Sequence, residues 1–372
     1  MKNAKNSFIS VCLISILILL PITATAQPQV LFSDDFEQYE VGKIIDESKW
    51  SMDDGIRWTP EAALDPTDES QTNQILKIYR DTTQTGNQAI AMDLGAQTDL
   101  VEISYRFYAP TDIENYNQAG NKASYFIINN SENKNIFYLG MDYGIGSNKR
   151  VRISGNGTEL YPYPLYESAN DTWHDIKVLM NPADQSYTFF LDNVMQESYP
   201  FRGMATLNNF DVSSVRFYPD RAITSNMLYL DDVYAKSISY SEGVETDYNW
   251  LTLENISNIT DDLSLPSRGG IYASSIEWSS SNPSVISNEG TVSRQQTDTE
   301  VKLTAVLTLG EEILEKEFTV TVKALESGDD LLALIQEKLD SSMLTNEISY
   351  AITENLDLSL PELSLYSDSL TI

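Results

Sequence analysis

Two carboxyl groups about 5–10 Å apart suffice to hydrolyse a glycosidic bond, one as acid and the other as nucleophile or base. The chain has 55 Asp and Glu, so a pair by itself discriminates little. Asp112-Ile113-Glu114 is one such pair, but it follows Ala109-Pro110 in a loop-like stretch. The single histidine, His174, is the only base available for a Ser-His-Asp or Cys-His arrangement. In Trp173-His174-Asp175, strand alternation puts Trp173 and Asp175 on one face and His174 on the other. This reads as a structural or surface histidine. One histidine and one cysteine leave no Cys/His metal cluster and no disulfide framework. No catalytic residue is assigned.

Hard cations take clustered carboxylate oxygens. Asp34, Asp35 and Glu37 open the folded region, and Asp231 and Asp232 lie near its close. If the first and last strands are neighbours, Asp35 and Glu37 share a face with Asp232 opposite. A structural calcium would relieve their repulsion, so these three are its expected ligands; the alternative is solvated strand-end acids. Sugars present flat C–H faces that stack on aromatic rings. Tyr161-Pro162-Tyr163-Pro164-Leu165-Tyr166 is the clearest aromatic cluster, with Tyr143 beside Asp142 and Trp58 beside Arg57. Tyr161, Tyr163, Tyr166, Trp58 and Tyr143 are the expected carbohydrate contacts, unless they only cover a sheet edge. Lys149, Arg150 and Arg152 form the one tight basic group, with Arg150 and Arg152 on one face of a strand.

These residues need elements to position them. Residues 1–26 read as an export signal: Lys2 and Lys5, an apolar run from Phe8 to Leu20, Pro21, then Ala24-Thr25-Ala26. The run is too short for the ~20 residues of a membrane span, and the protein is expected outside a bacterial cell. From 27 to 240, short strands alternate with Gly, Asn, Asp and Pro clusters. Expected strands include Ile75–Tyr79, Leu100–Tyr108, Ala123–Ile128, Ile136–Met141, Trp173–Met180, Ser186–Leu191, Ser214–Tyr218 and Met227–Val233. No helix is expected there. Residues 241–248 read as a polar joint, and 249–324 as a small β-sandwich with strands at Ser275–Ser279, Val301–Leu309 and Leu314–Val322. Residues 325–372 hold a helical pattern over Asp329–Met343 and the start of a repeat. Ile259-Thr260-Asp261-Asp262-Leu263 recurs at Ile352-Thr353-Glu354-Asn355-Leu356, an offset of 93 residues. Residue 372 falls inside this second copy, as in a fragment or a truncated gene, with any catalytic domain expected beyond it.

The first domain resembles the concanavalin A-like lectin/glucanase jelly rolls, including laminin G-like modules. The resemblance lies in Leu31-Phe32-Ser33-Asp34-Asp35-Phe36-Glu37 with Gly42 and Trp50, in Trp173–Val178 with Tyr187–Asn193, and in Leu228-Tyr229-Leu230-Asp231-Asp232-Val233. It implies a jelly-roll sandwich with a glycan ligand and allows a structural calcium. The Glu-x-Asp-x-x-Glu strand of laminarinase-type members is absent. Residues 249–324 resemble the atrophied bacterial immunoglobulin-like domain through Leu263-Ser264-Leu265-Pro266, Ile276-Glu277-Trp278 with Ser281-Asn282-Pro283, Gly290-Thr291-Val292 and Phe318–Val322. That family implies a spacer in secreted carbohydrate-active proteins, with Trp250 and Trp278 as core.

The net charge of −31 excludes a nucleic-acid ligand, which needs a basic face. Residues 27–240 and 241–372 are both acidic, the second more so. The expectation is an all-β secreted protein: a non-catalytic, glycan-binding jelly roll joined to an Ig-like spacer. The alternatives are hydrolase or lyase activity in the jelly roll, or a structural or adhesive surface protein.

Overall fold

The computed structural model describes residues 28–43, 45, 48–52, 58–80, 89–108, 123–142, 149–153, 165–168, 172–218 and 227–325. The first domain contains β1 (Gln29–Asp34), β2 (Ser51–Met52), β3 (Trp58–Leu64), β4 (Gln74–Arg80), β5 (Ile90–Gln97), β6 (Leu100–Tyr108), β7 (Ala123–Asn129) and β8 (Asn135–Asp142). It continues with β9 (Lys149–Ile153), β10 (Leu165–Ser168), β11 (Trp173–Asn181), β12 (Ser186–Leu191), β13 (Val194–Pro200), β14 (Val212–Tyr218) and β15 (Met227–Ile238). These strands form two antiparallel sheets. Sheet A runs β13-β12-β11-β6-β15-β4-β3, with β1 also paired to β15; sheet B runs β10-β9-β8-β7-β14-β5-β2.

Alternation along each strand sorts side chains between the sandwich core and the outside. In β6, Val101, Ile103, Tyr105 and Phe107 point inward and are buried; Ile176, Val178 and Met180 of β11 join them. Sheet B supplies Phe126, Ile128, Phe137, Leu139, Val215 and Phe217 from the other side. Aromatic edges lock the layers: Tyr105 meets Phe217 edge-on at 5.2 Å, and Phe137 meets Tyr187 at 4.7 Å.

The opening motif is a structural lock. Asp34 is buried and accepts hydrogen bonds from Trp50 Nε1 (2.8 Å), the Tyr39 hydroxyl (2.9 Å), Gln38 Nε2 (2.7 Å) and the Phe36 amide (3.1 Å). The first and last strands are neighbours, with Asp34 opposite Val233.

The expected joint at 241–248 is instead a helix, α1 (Tyr240–Trp250). Its N-cap is Ser239, whose hydroxyl accepts from the Glu242 amide at 3.2 Å. The helix buries Gly243, Val244 and Asp247, with Tyr240 and Tyr248 half-buried against the same apolar cluster; a glycine and an aspartate in this stripe blur its helical periodicity. It packs on a three-stranded sheet of β16 (Ser275–Ser280), β17 (Thr299–Leu309) and β18 (Glu312–Val322), ordered β16-β17-β18. Isolated bridges close the rest of this domain: Ile259 with Val322 in parallel, and Ile286 with Val292. The Leu-Ser-Leu-Pro motif has a structural reason, because Pro266 carbonyl accepts from Trp278 Nε1 at 2.8 Å. Trp250, expected in the core, is 40% exposed at the end of α1, beside Gly270. No helix among the described residues is long and apolar enough to cross a membrane. The 329–343 pattern and the second repeat lie outside the described residues.

Candidate functional site

The outer face of sheet A carries side chains in rows across neighbouring strands. The register aligns Trp173 of β11, Tyr108 of β6, Tyr229 of β15 and Lys77 of β4. The Tyr108 ring lies 5.6 Å from Trp173 and 5.8 Å from Tyr229. Lys77 then pairs with Glu61 of β3 at 3.0 Å. The next row aligns Asp175, Arg106 and Asp231. Arg106 Nε stands 3.4 Å from Asp175 and its Nη1 3.7 Å from both Asp231 and Asp232. Its guanidinium also lies over the Trp173 ring, 5.1 Å from the centroid. Trp173 and Tyr229 are half-buried and Tyr108 is buried between them.

The β3–β4 connection folds back onto this face. Asp65 and Thr67 accept from Trp173 Nε1 at 3.1 Å, and the Asn73 amide donates to both Asp65 and Asp231 at 3.2 Å. Asp68 braces the loop by accepting from the amides of Ser70, Thr72 and Asn73. Hydrogen bonds, led by that of the Ser70 hydroxyl, hold the Asp68 carboxyl well below its ordinary range. Burial pushes Asp65 up, but bonds from Thr67, Trp173 and Asn73 outweigh it and its pKa falls. Asp231 goes the other way: burial raises it to about 6, the Asn73 bond opposes this, and the nearby Asp232 charge adds to it. Asp232 sits at φ +50°, where the β15 register shifts against β6 between Asp231 and Tyr234. This bulge turns two consecutive acids toward Arg106.

Farther along the same face the rows become Lys177–Ser104–Tyr234 and Leu179–Glu102–Lys236, ending at Leu100–Ile238. That end is covered by residues 240–325, whose Tyr272 hydroxyl lies 3.3 Å from Lys236 Nζ.

The residues expected from sequence are dispersed. Tyr143, Tyr161 and Tyr163 fall in the β8–β9 and β9–β10 connections, outside the described residues. Tyr166 lies on β10, paired with Val151, and Trp58 on β3, paired with Arg80. They belong to different sheets, at an edge of each. Asp35 and Glu37 lie past the end of β1, where alternation no longer orders side chains. Glu37 Oε1 accepts from the Gln74 amide at 2.8 Å, and Asp232 faces Arg106. Among the described residues no three Asp, Glu, His or Cys side chains gather to hold a metal ion, so Asp35, Glu37 and Asp232 are not brought together as a calcium set. His174 is buried, its ring 5.4 Å from Phe107 and its Nδ1 2.9 Å from Asp192 Oδ2. Asp112 and Glu114 lie outside the described residues, while Arg150 and Arg152 pair along the ladder with Asp142 and Gly140. Arg106 and Asp65 were missed by sequence reasoning; the polar alternation of β6 was the only signal for Arg106.

Residues 244–325 match the atrophied bacterial Ig domain family. The match begins inside α1 and so includes most of that helix. No curated protein matches the sequence. Among solved structures, the chain is similar to a carbohydrate esterase from the Shiga toxin-encoding bacteriophage phi24B, at 13% identity and a TM-score of 0.41, over 57% of this chain and 100% of that one. It is also similar to lectin II from Ulex europaeus (12% identity, TM-score 0.37, 56% and 98% covered). A sialidase is similar at 10% identity and a TM-score of 0.41, over 65% of this chain and 22% of the sialidase. Similarity at this level carries no ligand or activity across.

Proposed function

We propose that the chain is a secreted, non-catalytic glycan-binding protein whose sugar face is the open end of sheet A. The carrying observation is the row Trp173–Tyr108–Tyr229 lying beside the row Asp175–Arg106–Asp231. A pyranose needs both kinds of neighbour, an aromatic surface for its C–H face and planar polar groups for its hydroxyls. Trp173 is fixed by Asp65 and Thr67 through its indole N–H, so little side-chain entropy is lost on binding. Export is supported by the leader pattern of residues 1–26. The segment Tyr161, Tyr163 and Tyr166 is proposed as a second aromatic surface.

The test is affinity electrophoresis of residues 27–372 through neutral and acidic polysaccharides. Retardation by at least one polymer is expected. Trp173→Ala should weaken binding roughly tenfold, about 1.4 kcal/mol, while Tyr161→Ala with Tyr163→Ala reports on the other surface. No retardation on any polymer, or unchanged retardation of Trp173→Ala, rejects the sheet A site.

A further inference from the structure

We infer that the jelly roll and the Ig-like domain form one cooperative folding unit, joined through a shared apolar core with α1 as the joining element. The second domain is then a fixed part of the first and not a flexible spacer.

The outer face of sheet A changes character along its strands. Beyond Ser104 and Tyr234 apolar side chains gather around the Glu102–Lys236 pair: Leu100, Leu179 and Ile238, with Phe190 of β12 alongside. On a free-standing sandwich these side chains would form an exposed patch. Here all four are buried, in one cluster with Val244, Tyr272, Leu307 and Leu309 of the Ig-like domain. A separable pair of domains meets through a more polar surface and is connected by a linker. Here the meeting surface has an apolar centre with polar bonds around it, and the connection is too short to be a flexible linker. One residue, Ser239, stands between the end of β15 and the start of α1, and it serves as the helix N-cap.

One glycine shows how closely the bodies approach, and a second how tightly α1 seats on the β17–β18 hairpin. A Cβ on Gly243 of α1 would lie 2.7 Å from Leu309 and 2.9 Å from Leu100, one contact in each domain. Gly310, at φ +60°, turns the β17–β18 hairpin where a Cβ would meet the Tyr240 ring at 2.8 Å. Polar bonds pin the joint at its rim. The Tyr240 hydroxyl accepts from the Ala183 amide at 2.9 Å and donates to Asn181 Oδ1 at 3.0 Å. Lys236 Nζ bridges Glu102 and Tyr272, 3.3 Å from each. Burial raises the Tyr240 hydroxyl to about 12, so this bond is kept across the physiological range.

The experiment follows thermal unfolding of residues 27–372 by hydrogen exchange, reading amides of β11 and β12 separately from those of β17 and β18. One shared midpoint is expected. Trp278→Ala, in the Ig-like core, should lower the midpoint of β11 and β12 as much as its own. Leu100→Ala should lower both together, and Leu100→Asp more so. Two separate midpoints, or a Trp278→Ala shift confined to β16–β18, would overturn the inference. Because this readout involves no polysaccharide, it stands or falls apart from the sugar site.

Discussion

Asp231 is a carboxyl group whose surroundings oppose its charge. It is buried, and its ionised form is supported by Arg106 at 3.7 Å and by the Asn73 amide. Burial nevertheless wins and lifts its pKa to about 6. A carboxyl raised on folding binds its proton more tightly in the native state than in the unfolded chain. Its contribution is therefore fully present below about pH 4 and is lost as pH rises through about 6. Asp231→Asn removes this dependence. It should raise the unfolding free energy at pH 7 by up to about 3 kcal/mol, at 1.4 kcal/mol per pKa unit over the rise from 3.8 to about 6, which already includes the Arg106 pairing. The gain should vanish at pH 4, and a gain independent of pH would refute the account. Tyr105 poses a related case in the core. Its hydroxyl is fully buried without a hydrogen-bond partner among the described residues, and burial raises its pKa well above the ordinary value. Tyr105→Phe deletes an unsatisfied group while keeping the ring against Phe126 and Phe217. Denaturant unfolding should show the variant equal to or about 1 kcal/mol more stable than the parent. Destabilisation beyond 1 kcal/mol would point to an unseen partner.

Helix α1 adds tertiary bonds to its Ser239 cap. Asp247 is fully buried and accepts from the amides of Ile271 (2.9 Å), Tyr272 (3.0 Å) and Ser274 (2.8 Å) and from the Ser274 hydroxyl (2.7 Å). At the C-terminus, Lys316 Nζ reaches the carbonyls of Tyr248 (2.6 Å) and Leu251 (2.8 Å), where the helix dipole favours a cation. Gly269 is obligatory beneath it, since a Cβ there would lie 2.2 Å from the Asp247 carboxyl. Asp247→Ala strands these buried donors and should cost about 3 kcal/mol or more; a loss under 1 kcal/mol by denaturant titration would show the helix to be held otherwise. The reasons for what the sequence disclosed follow from this. Leu100–Tyr108, with its inward residues alternating, announces itself by period two, and Ser186–Leu191, buried on both faces, by its run of aromatic and β-forming residues; both match their observed bounds. Strand β5, reading IAMDLGAQ with its first three residues buried, does not alternate cleanly and was not read. Helix α1 was invisible because its anchor is an aspartate whose partners lie about 25 residues away. The site was legible in part for the same reason. Trp173, Asp175, Asp231 and Asp232 were visible as residue types on strands. Their convergence on Arg106 required the crossover order β11-β6-β15, which no local pattern encodes.

At the scale of the molecule, charge opposes the joint that packing makes. Residues 27–240 carry 16 basic and 31 acidic side chains, and residues 241–372 carry 6 and 24. Two negative bodies are thus held in contact by an apolar core, with Lys236, Lys177 and Lys316 among the few cations near the seam. At ~0.01 M salt the screening length is ~30 Å, so each domain feels most of the other's charge; at ~0.15 M it falls to ~8 Å. Folding brings these charges together, so screening should favour the native state. Raising NaCl across that range should lift the midpoint of thermal unfolding by about 1–2 °C, equivalent to about 1 kcal/mol in a chain of this size. Calcium chloride at matched ionic strength separates two causes. Diffuse screening predicts a rise close to that of NaCl. A larger rise, abolished in the triple variant Asp35→Asn, Glu37→Gln and Asp232→Asn, would mean that these acids converge on a calcium ion after all. A fall in midpoint with either salt would show instead that ion pairs such as Arg106 with Asp175 and Asp231 outweigh the net repulsion.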